Sequence, residues 1–376
     1  MTPQGSVEAE KLPGASTPRR RNTPVRIERP TGTGAHEALT MLIRSFFVLL
    51  SAPVALMSAE VGARTLTACP AGVDKGCDFT GHSAIQTAID RAADGDVVLV
   101  RAGVYTPERF TDIAYKQYVL RGAIAIQHKR IAVQGEEGAV IDGASGPPVC
   151  AVVVNGGEVT LTNLVLRNLR AGDREDDLYE GHGIFAVDAV LNVRDVTIEK
   201  YQKMGLIGRG SSLVTASNVR IQDGHVAIWL EESSHLRLCN SVVRNNDSAG
   251  VAAYASSSAS IYNSVFDRHL DDALYADDDA SLSITNSLVL NSKPYGVRVV
   301  GNARAVARHS VFFGNEAKAS SPEGKQSIVW GPGIFEADPK VSSSYSLPMP
   351  LDGDPDVRTA EFGKSRIGLS SVAACR

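Results

Sequence analysis

The 376-residue sequence has no large net charge, no cysteine pattern typical of a metal site and no membrane-length apolar run near its N-terminus. The formal net charge is −4, whereas nucleic-acid binding requires a surface rich in basic residues. We therefore expect no nucleic-acid partner. None of the five cysteines has the spacing of a zinc site. The remaining candidate functions involve proteins, membranes or small and polymeric substrates.

An apolar run of about twelve residues, 46–57, follows the basic start Met41–Arg44 and precedes the small residues Gly62 and Ala63. This run is too short for a transmembrane helix, and the pattern is typical of a secretory signal. We predict a signal peptide at 41–63, a mature chain that begins near Arg64, and a periplasmic or secreted protein. An uncleaved membrane anchor is the alternative. Residues 1–40 lack apolar periodicity, so they are expected to be disordered or a misassigned extension upstream of the true start.

Export would place the cysteines in an oxidising compartment. Cys69 and Cys77 flank a short loop, so we predict a disulfide that fastens the lead-in segment 64–82. The pairing of Cys150, Cys239 and Cys375 stays open, because their number is odd.

One polar position returns every 22 or 23 residues in five successive units, as Asn218, Asn240, Asn263, Asn286 and His309. A short alternating strand precedes each of these residues. A second strand lies about a dozen residues earlier and opens with a small residue, namely Gly205, Ala227, Gly250, Ala273 and Gly296. A fixed period with short strands indicates a solenoid, in which each unit buries its apolar side against its neighbours. The units lack the leucines of leucine-rich repeats, so coils made of strands remain.

With these features the chain resembles the right-handed parallel β-helix proteins of the pectin-lyase-like superfamily. The segment 83–90 reads as an amphipathic helix with Ser83 as its N-cap, which would close the open end of the solenoid. The resemblance implies an all-β, right-handed parallel β-helix over 83–340 with an N-terminal capping helix. A C-terminal cap or tail would follow at 341–376, and we expect a monomer.

Period-two alternation assigns the faces of the second strand. The inward column is Ile184, Leu206, Ile228, Val251, Leu274 and Val297. The first outward column is Phe185, Ile207, Trp229, Ala252, Tyr275 and Arg298, and the second is Arg209, Glu231, Tyr254, Asp277 and Val300. Because neighbouring rungs are about 4.8 Å apart, these outward residues would form one aromatic and charged patch.

Such a patch suits a polysaccharide, whose apolar faces stack on aromatic rings and whose hydroxyl and carboxylate groups need polar partners. The alternative is an ordinary solvated face with cross-rung pairs. The candidate substrate-binding residues are Trp229, Tyr254, Tyr275 and His182. The candidate catalytic residues are Glu231, Asp277, Arg209, Arg298 and His225.

Three functions remain open at this point. In a uronate lyase or epimerase, Arg209 and Arg298 would neutralise the carboxylate, and the base would be His225, His182 or Lys203. In an inverting hydrolase, the carboxylate pair would be Glu231 and Asp277. These two residues are about 9.6 Å apart by rung spacing, against a range of roughly 6.5–9.5 Å for inverting enzymes. The third possibility is a solenoid without catalysis that binds glycan or assembles at the envelope.

The absence of family motifs favours the third possibility, whereas the mixed aromatic and charged patch favours the first two. The polygalacturonase set is incomplete here, because Gly181-His182-Gly183 precedes Asp271-Asp272 and the two other motifs are missing. Blocks typical of pectate lyases and alginate epimerases are also absent from the sequence. The acidic loop 173–182 lengthens one coil, and its carboxylates could hold Ca²⁺, although we expect no cofactor. The overall prediction is an exported β-helix protein that binds and processes polysaccharide, of the uronate lyase or epimerase type.

Overall fold

The computed structural model describes residues 62–73, 75–172, 179–321 and 327–341. The predicted N-terminal extension 1–40, most of the predicted signal peptide, Cys375 and most of the predicted C-terminal cap lie outside these ranges. The described chain winds into coils that contribute strands to three long sheets. Apart from the antiparallel hairpin β5–β6 described below, neighbouring strands in each sheet are parallel, as in a solenoid whose coils stack in register.

The first sheet has 12 strands. They are β1 (Thr65–Cys69), β2 (Phe79–Thr80), β3 (Val97–Val100), β7 (Arg130–Gly135), β10 (Glu158–Thr162), β13 (Val190–Arg194), β16 (Leu213–Ser217), β19 (His235–Cys239), β22 (Ser258–Tyr262), β25 (Ser281–Thr285), β28 (Arg304–Arg308) and β31 (Ile328–Trp330).

The second sheet has 10 strands. They are β4 (Gly103–Tyr105), β8 (Ala139–Asp142), β11 (Val165–Leu169), β14 (Thr197–Tyr201), β17 (Arg220–Gln222), β20 (Val242–Arg244), β23 (Val265–Asp267), β26 (Leu288–Leu290), β29 (Ser310–Phe313) and β32 (Ile334–Phe335).

The third sheet also has 10 strands and carries the candidate site. They are β5 (Thr111–Tyr115), β6 (Tyr118–Gln127), β9 (Cys150–Asn155), β12 (Ile184–Val187), β15 (Met204–Arg209), β18 (Val226–Leu230), β21 (Val251–Ala253), β24 (Leu274–Ala276), β27 (Tyr295–Val299) and β30 (Ala317–Ser320).

A single apolar core runs along the inside of the coils, because alternate residues of each strand point inward. The predicted inward column from Ile184 to Val297 is confirmed, since each of its members is at most 1% exposed. At the N-terminal end, α1 (Ala84–Arg91) packs Ile85 and Ile89 into the same core. The predicted capping helix is therefore confirmed, although the Ser83 side chain makes no capping hydrogen bond.

The asparagine column lies at the turn after each first-sheet strand. Asn218, Asn240, Asn263 and Asn286 all have positive φ angles, between 47° and 54°. Asparagine tolerates this left-handed conformation better than most residues do. The amide of Asn263 donates to Asn240 at 3.2 Å, and that of Asn286 donates to Asn263 at 2.5 Å. The predicted stack of asparagines is confirmed.

A second ladder, which the sequence analysis did not single out, consists of serines inside the same turns. Ser241, Ser264, Ser287 and Ser310 are fully buried. Each hydroxyl donates to a carbonyl two residues earlier and accepts the backbone N–H of the preceding coil, as Ser264 does from Ser241 at 3.2 Å. These bonds satisfy backbone groups that the tight turn would otherwise bury unpaired.

The cysteines of the described residues include one predicted disulfide. Cys69 and Cys77 form a disulfide, which confirms that pairing. Cys239 is disulfide-bonded, whereas Cys150 is free and buried. No helix in the described part of the chain is long and apolar enough to span a membrane.

Candidate functional site

The outer face of the third sheet carries the predicted columns in the predicted register. Ile207, Trp229, Ala252, Tyr275 and Arg298 lie side by side on successive strands. Within this column, Trp229, Tyr275 and Arg298 remain partly exposed. The rung spacing of the parallel sheet therefore brings distant sequence positions onto one surface.

Three aromatic side chains of this face pack against one another. The rings of Trp229 and Tyr254 have centroids 4.5 Å apart and an interplanar angle of 30°, and Tyr254 lies 5.5 Å from Tyr275. We call Trp229, Tyr254 and Tyr275 the aromatic wall. Because the rings also contact each other, part of each ring face is used within the protein and the remainder is available to a ligand.

Acidic groups accept hydrogen bonds from the aromatic wall. The indole Nε1 of Trp229 donates to Glu231 at 3.1 Å, and the Tyr275 hydroxyl donates to Asp277 at 2.9 Å. Burial, followed by the field of Asp277 and neighbouring acids, raises the pKa of Tyr254 to about 12. Burial and the hydrogen bond to Asp277 hold the pKa of Tyr275 well above its usual value. Both phenols therefore stay protonated near neutral pH and can act as hydrogen-bond donors.

A hairpin formed by β5 and β6 covers the N-terminal part of this outer face. Phe185 and Ile207 point outward as predicted, yet both are fully buried beneath it. At the hairpin tip, the Tyr115 hydroxyl and the Lys116 ammonium each contact Glu232 at 2.7 Å. The open part of the face begins beyond this tip.

Two of the predicted site residues, Arg209 and His182, are buried, whereas a third, His225, is exposed. The side chain of Arg209 is only 9% exposed and forms an ion pair with Glu231, so its charge is already neutralised. His182 is fully buried beside Phe185 and accepts the backbone N–H of Met204 at 3.2 Å. His225 is exposed and bonded to Asp247 at 2.5 Å, on the rung before Ser248. Arg209 and His182 therefore do not contribute exposed groups to the open face.

Asp272 is the functional candidate that the sequence analysis noted only as part of an incomplete motif. It immediately precedes Ala273, one of the small residues that open the repeat strand, and it is 1% exposed. One carboxylate oxygen lies 3.6 Å from the Arg298 guanidinium, while Oδ1 has no hydrogen-bond partner in the described residues. Burial and the neighbouring charge of Asp271 raise the pKa of Asp272 to about 6, against the opposing effect of Arg298.

These groups surround a groove with a volume of about 250 Å³. The aromatic wall forms one side, the Asp271–Asp272 turn forms the other, and Arg298 lies at one end. The floor consists of Val226, Ala249 and Ala252. The arrangement joins an apolar surface, a cation and a carboxyl whose pKa is near neutral.

The described residues contain no cluster of three or more His, Cys, Asp or Glu side chains that could hold a metal ion. Residues 173–178 of the acidic loop, which we considered for Ca²⁺, fall outside the described ranges.

The chain was compared with known families and structures. A family model described as a right-handed beta helix region matches residues 182–331. Pectate lyase Pel9A superposes with a TM-score of 0.50 and 16% sequence identity, over 83% of this chain and 90% of that chain. The fold is a right-handed parallel β-helix.

Two further solved structures give lower TM-scores. An alginate lyase from Paenibacillus sp. str. FPU-7 gives a TM-score of 0.40 and 14% identity, over 72% of this chain and 99% of that one. The periplasmic alginate epimerase AlgG gives a TM-score of 0.41 and 7% identity, over 65% and 69% of the two chains. No curated protein sequence matches the chain. At 16% identity, the likeness to pectate lyase Pel9A shows the fold alone.

Proposed function

We propose that the protein is an exported β-helix protein that binds an acidic polysaccharide in the groove of the third sheet and processes it by lyase or epimerase chemistry. The observation that carries this proposal is the position of Arg298 and Asp272 beside the aromatic wall. The names of the structural neighbours, which include a pectate lyase and an alginate epimerase, fit such a role. The Cys69–Cys77 disulfide fits an oxidising compartment.

The chemistry begins with removal of the proton next to a uronate carboxylate. Arg298 would bind the carboxylate and stabilise the negative charge that develops on it, because guanidinium groups pair well with carboxylates. Asp272 would accept the proton, since a base with a pKa near the working pH is effective. In a lyase the adjacent C–O bond then breaks, and the protonated Tyr275 hydroxyl can supply a proton to the leaving oxygen. In an epimerase a proton returns to the opposite face of the same carbon.

Inverting hydrolysis is the second candidate, because carboxylates outnumber cations around the groove. Here a protonated Asp272 would be the general acid, since its pKa is raised. Glu231 or Asp277 would be the general base. The ion pair between Glu231 and Arg209 makes Glu231 the less available of the two.

One screen tests the proposal and separates the two chemistries. The mature protein is incubated with uronate and neutral polysaccharides, and products are followed by ultraviolet absorbance and by reducing ends. Unsaturated products indicate a lyase, and reducing ends alone indicate a hydrolase. Inversion at a carbon without cleavage, detected by NMR, indicates an epimerase. Binding without turnover would indicate the glycan-binding alternative, and neither binding nor turnover would refute the proposal.

The pH dependence of kcat/KM gives an independent test, because the lyase or epimerase chemistry and the hydrolase chemistry predict changes in opposite directions. If Asp272 is the base, kcat/KM rises as the pH increases through about 6, because the ionised form is active. If Asp272 is the acid, kcat/KM falls over the same interval. Asp272→Asn should abolish this pH dependence in either case.

Arg298→Gln tests the cation directly, and Arg237→Gln is its matched control. Arg237 also lies over a tyrosine ring, at 5.4 Å from Tyr262, but it belongs to the first sheet. We expect Arg298→Gln to weaken binding of acidic polymers about 10- to 100-fold, as for loss of a charged hydrogen bond, and Arg237→Gln to leave it unchanged.

A further inference from the structure

The floor of the groove is a notch that is one rung wide. Along the first outward column, Ala252 separates Trp229 from Tyr275. Three residues earlier on the same rungs, Ala249 lies between Val226 and Asp272. This alignment follows from two backbone hydrogen bonds, in which the N–H of Ala227 donates to Ala249 and the N–H of Gly250 donates to Asp272. Both alanines lie on the rung of β21. Their methyl groups leave space that the larger side chains of neighbouring rungs fill.

The boundaries of this notch differ in chemistry. Tyr254 and the two other rings of the aromatic wall close one side, and the floor of Val226, Ala249 and Ala252 is apolar. At the next rungs, Asp272 and Arg298 supply the charged side chains, with Arg298 stacked 5.7 Å from the Tyr275 ring. The Arg298 side chain is 43% exposed, so its guanidinium is accessible to a ligand.

The volume limits what can enter. About 250 Å³ is below the range of roughly 300–1,000 Å³ for pockets that enclose a drug-sized ligand. One sugar ring fits such a space, whereas the remainder of a polymer would have to extend along the open face. The apolar floor matches the C–H face of a sugar ring, and the single accessible cation matches one carboxylate.

We propose that Ala249 and Ala252 are specificity-determining residues that form a subsite for one uronate ring with a free carboxylate. This inference rests on the proposed function of the groove. The ring lies on the two alanines beside the aromatic wall, and its carboxylate pairs with Arg298. A methyl-esterified uronate cannot form that ion pair, because the ester carries no charge. The subsite therefore selects the free-acid form over the ester.

The test uses variants that change only the space in the notch. Ala252→Leu fills the notch, whereas Ala252→Ser keeps it open. Ser260→Leu adds the same bulk at an outward position of the first sheet and serves as the control. Circular dichroism and the thermal midpoint confirm that each variant is folded. Binding is measured by titration calorimetry with one uronate polymer in its free-acid form and with the same polymer fully methyl-esterified.

The unmodified protein should bind the free acid about 10- to 100-fold more tightly than the ester, because one charged hydrogen-bonded pair is lost. Ala252→Leu should lose at least about tenfold in affinity for the free acid, while Ala252→Ser and Ser260→Leu should bind as the parent does. Equal binding of acid and ester, or unchanged binding by a folded Ala252→Leu, would overturn the inference.

Different results would contradict the subsite and the proposed function of the groove. If the parent binds the polymer and Trp229→Ala weakens that binding, but Ala252→Leu does not, the subsite is wrong and the groove remains. If the parent binds neither form of the polymer and turns over none, the proposed function fails, and the subsite fails with it.

Discussion

His269 provides a sharp prediction about stability, because an ionisable ring is buried where it cannot be solvated. The residue is 1% exposed, and both ring nitrogens are buried, with a weak interaction with the Val243 backbone to favour the protonated ring. Burial lowers the pKa of His269 from 6.5 to about 4. Protonation of the folded protein would place a charge inside the solenoid, so the folded state favours the neutral ring.

The direction of the pH effect follows from proton binding. Below about pH 6.5 the unfolded chain binds a proton at this position, whereas the folded chain does not until about pH 4. The free energy of unfolding therefore falls as the pH decreases through this interval. The full loss is about 3 kcal/mol, and about 2 kcal/mol is already lost at about pH 5.

Asp272 acts in the opposite direction. Its pKa is raised by burial from 3.8 to about 6, so its contribution to stability is present at low pH and is lost as the pH rises through about 6. A profile of the unmodified protein would combine both effects. The contribution of His269 alone is obtained by comparing the unmodified protein with a variant that lacks His269 but retains Asp272.

His269→Asn is that variant. Asn246 and Asn315 occupy the same position of the coil one rung before and two rungs after, where each amide oxygen accepts a backbone N–H. Asparagine should therefore be accommodated at His269. Urea unfolding, followed by far-ultraviolet circular dichroism between about pH 7 and pH 5, should show that the variant gains about 2 kcal/mol relative to the parent on acidification.

His235→Asn supplies the control, because it makes the same substitution at an exposed position of the first sheet. Parallel profiles for the parent and His269→Asn would refute the reasoning, since they would mean that the buried ring binds protons equally in both states.

The two ladders give further predictions about stability. Ser264→Ala should lower the free energy of unfolding by about 1–3 kcal/mol, because the buried N–H of Ser241 loses its acceptor, while Ser260→Ala on the outer surface should be near neutral. Asn263→Leu should cost about 1–3 kcal/mol or more, because it breaks two amide bonds and places a leucine at a positive φ. Denaturant titrations check both, and values below about 0.5 kcal/mol would contradict the structural role of the ladders.

Much of the fold was predictable because the repeat makes neighbouring coils equivalent. Period-two alternation assigns each residue to a face, and the interval of 22 or 23 residues then assigns its partner on the next rung. The columns through Trp229 and Tyr275 follow directly from these two rules. The serine ladder follows the same period, two residues after the strand ends at Cys239, Tyr262 and Thr285, and the sequence analysis overlooked it.

Burial on the outer face was not predictable in the same way. The hairpin from Thr111 to Gln127 belongs to no repeat, and its first strand pairs antiparallel with its second. Alternation identifies Phe185 and Arg209 as outward, but it contains no information about a segment that folds back over them. The position of Asp272, in contrast, could be predicted from the sequence. Like Val226 and Ala249, it immediately precedes the small residue that opens a repeat strand.

The burial of Arg209 determines which substitution is a suitable test of the site. On the sequence alone, Glu231→Gln is a natural test of this candidate catalytic carboxylate, since it removes the charge and keeps the shape of the side chain. In the structure, Glu231 neutralises Arg209, whose side chain is only 9% exposed, so the substitution would leave a buried guanidinium without its counter-charge. A loss of activity could then reflect a local rearrangement as easily as a catalytic role. Asp277→Asn is cleaner, because asparagine can still accept the hydrogen bond from Tyr275.

The hairpin also explains where the groove lies along a uniform solenoid. Tyr115 and Lys116 anchor its tip to Glu232, on the coil that carries Trp229. Before this coil, the apolar outward residues Phe185 and Ile207 are covered. On the next coil the outward residues Ala249 and Ala252 are small, and the rings of the aromatic wall pack against the same apolar cluster. The site therefore arises where the cover ends and small side chains begin, so shortening the hairpin should expose a second apolar strip rather than extend the charged groove.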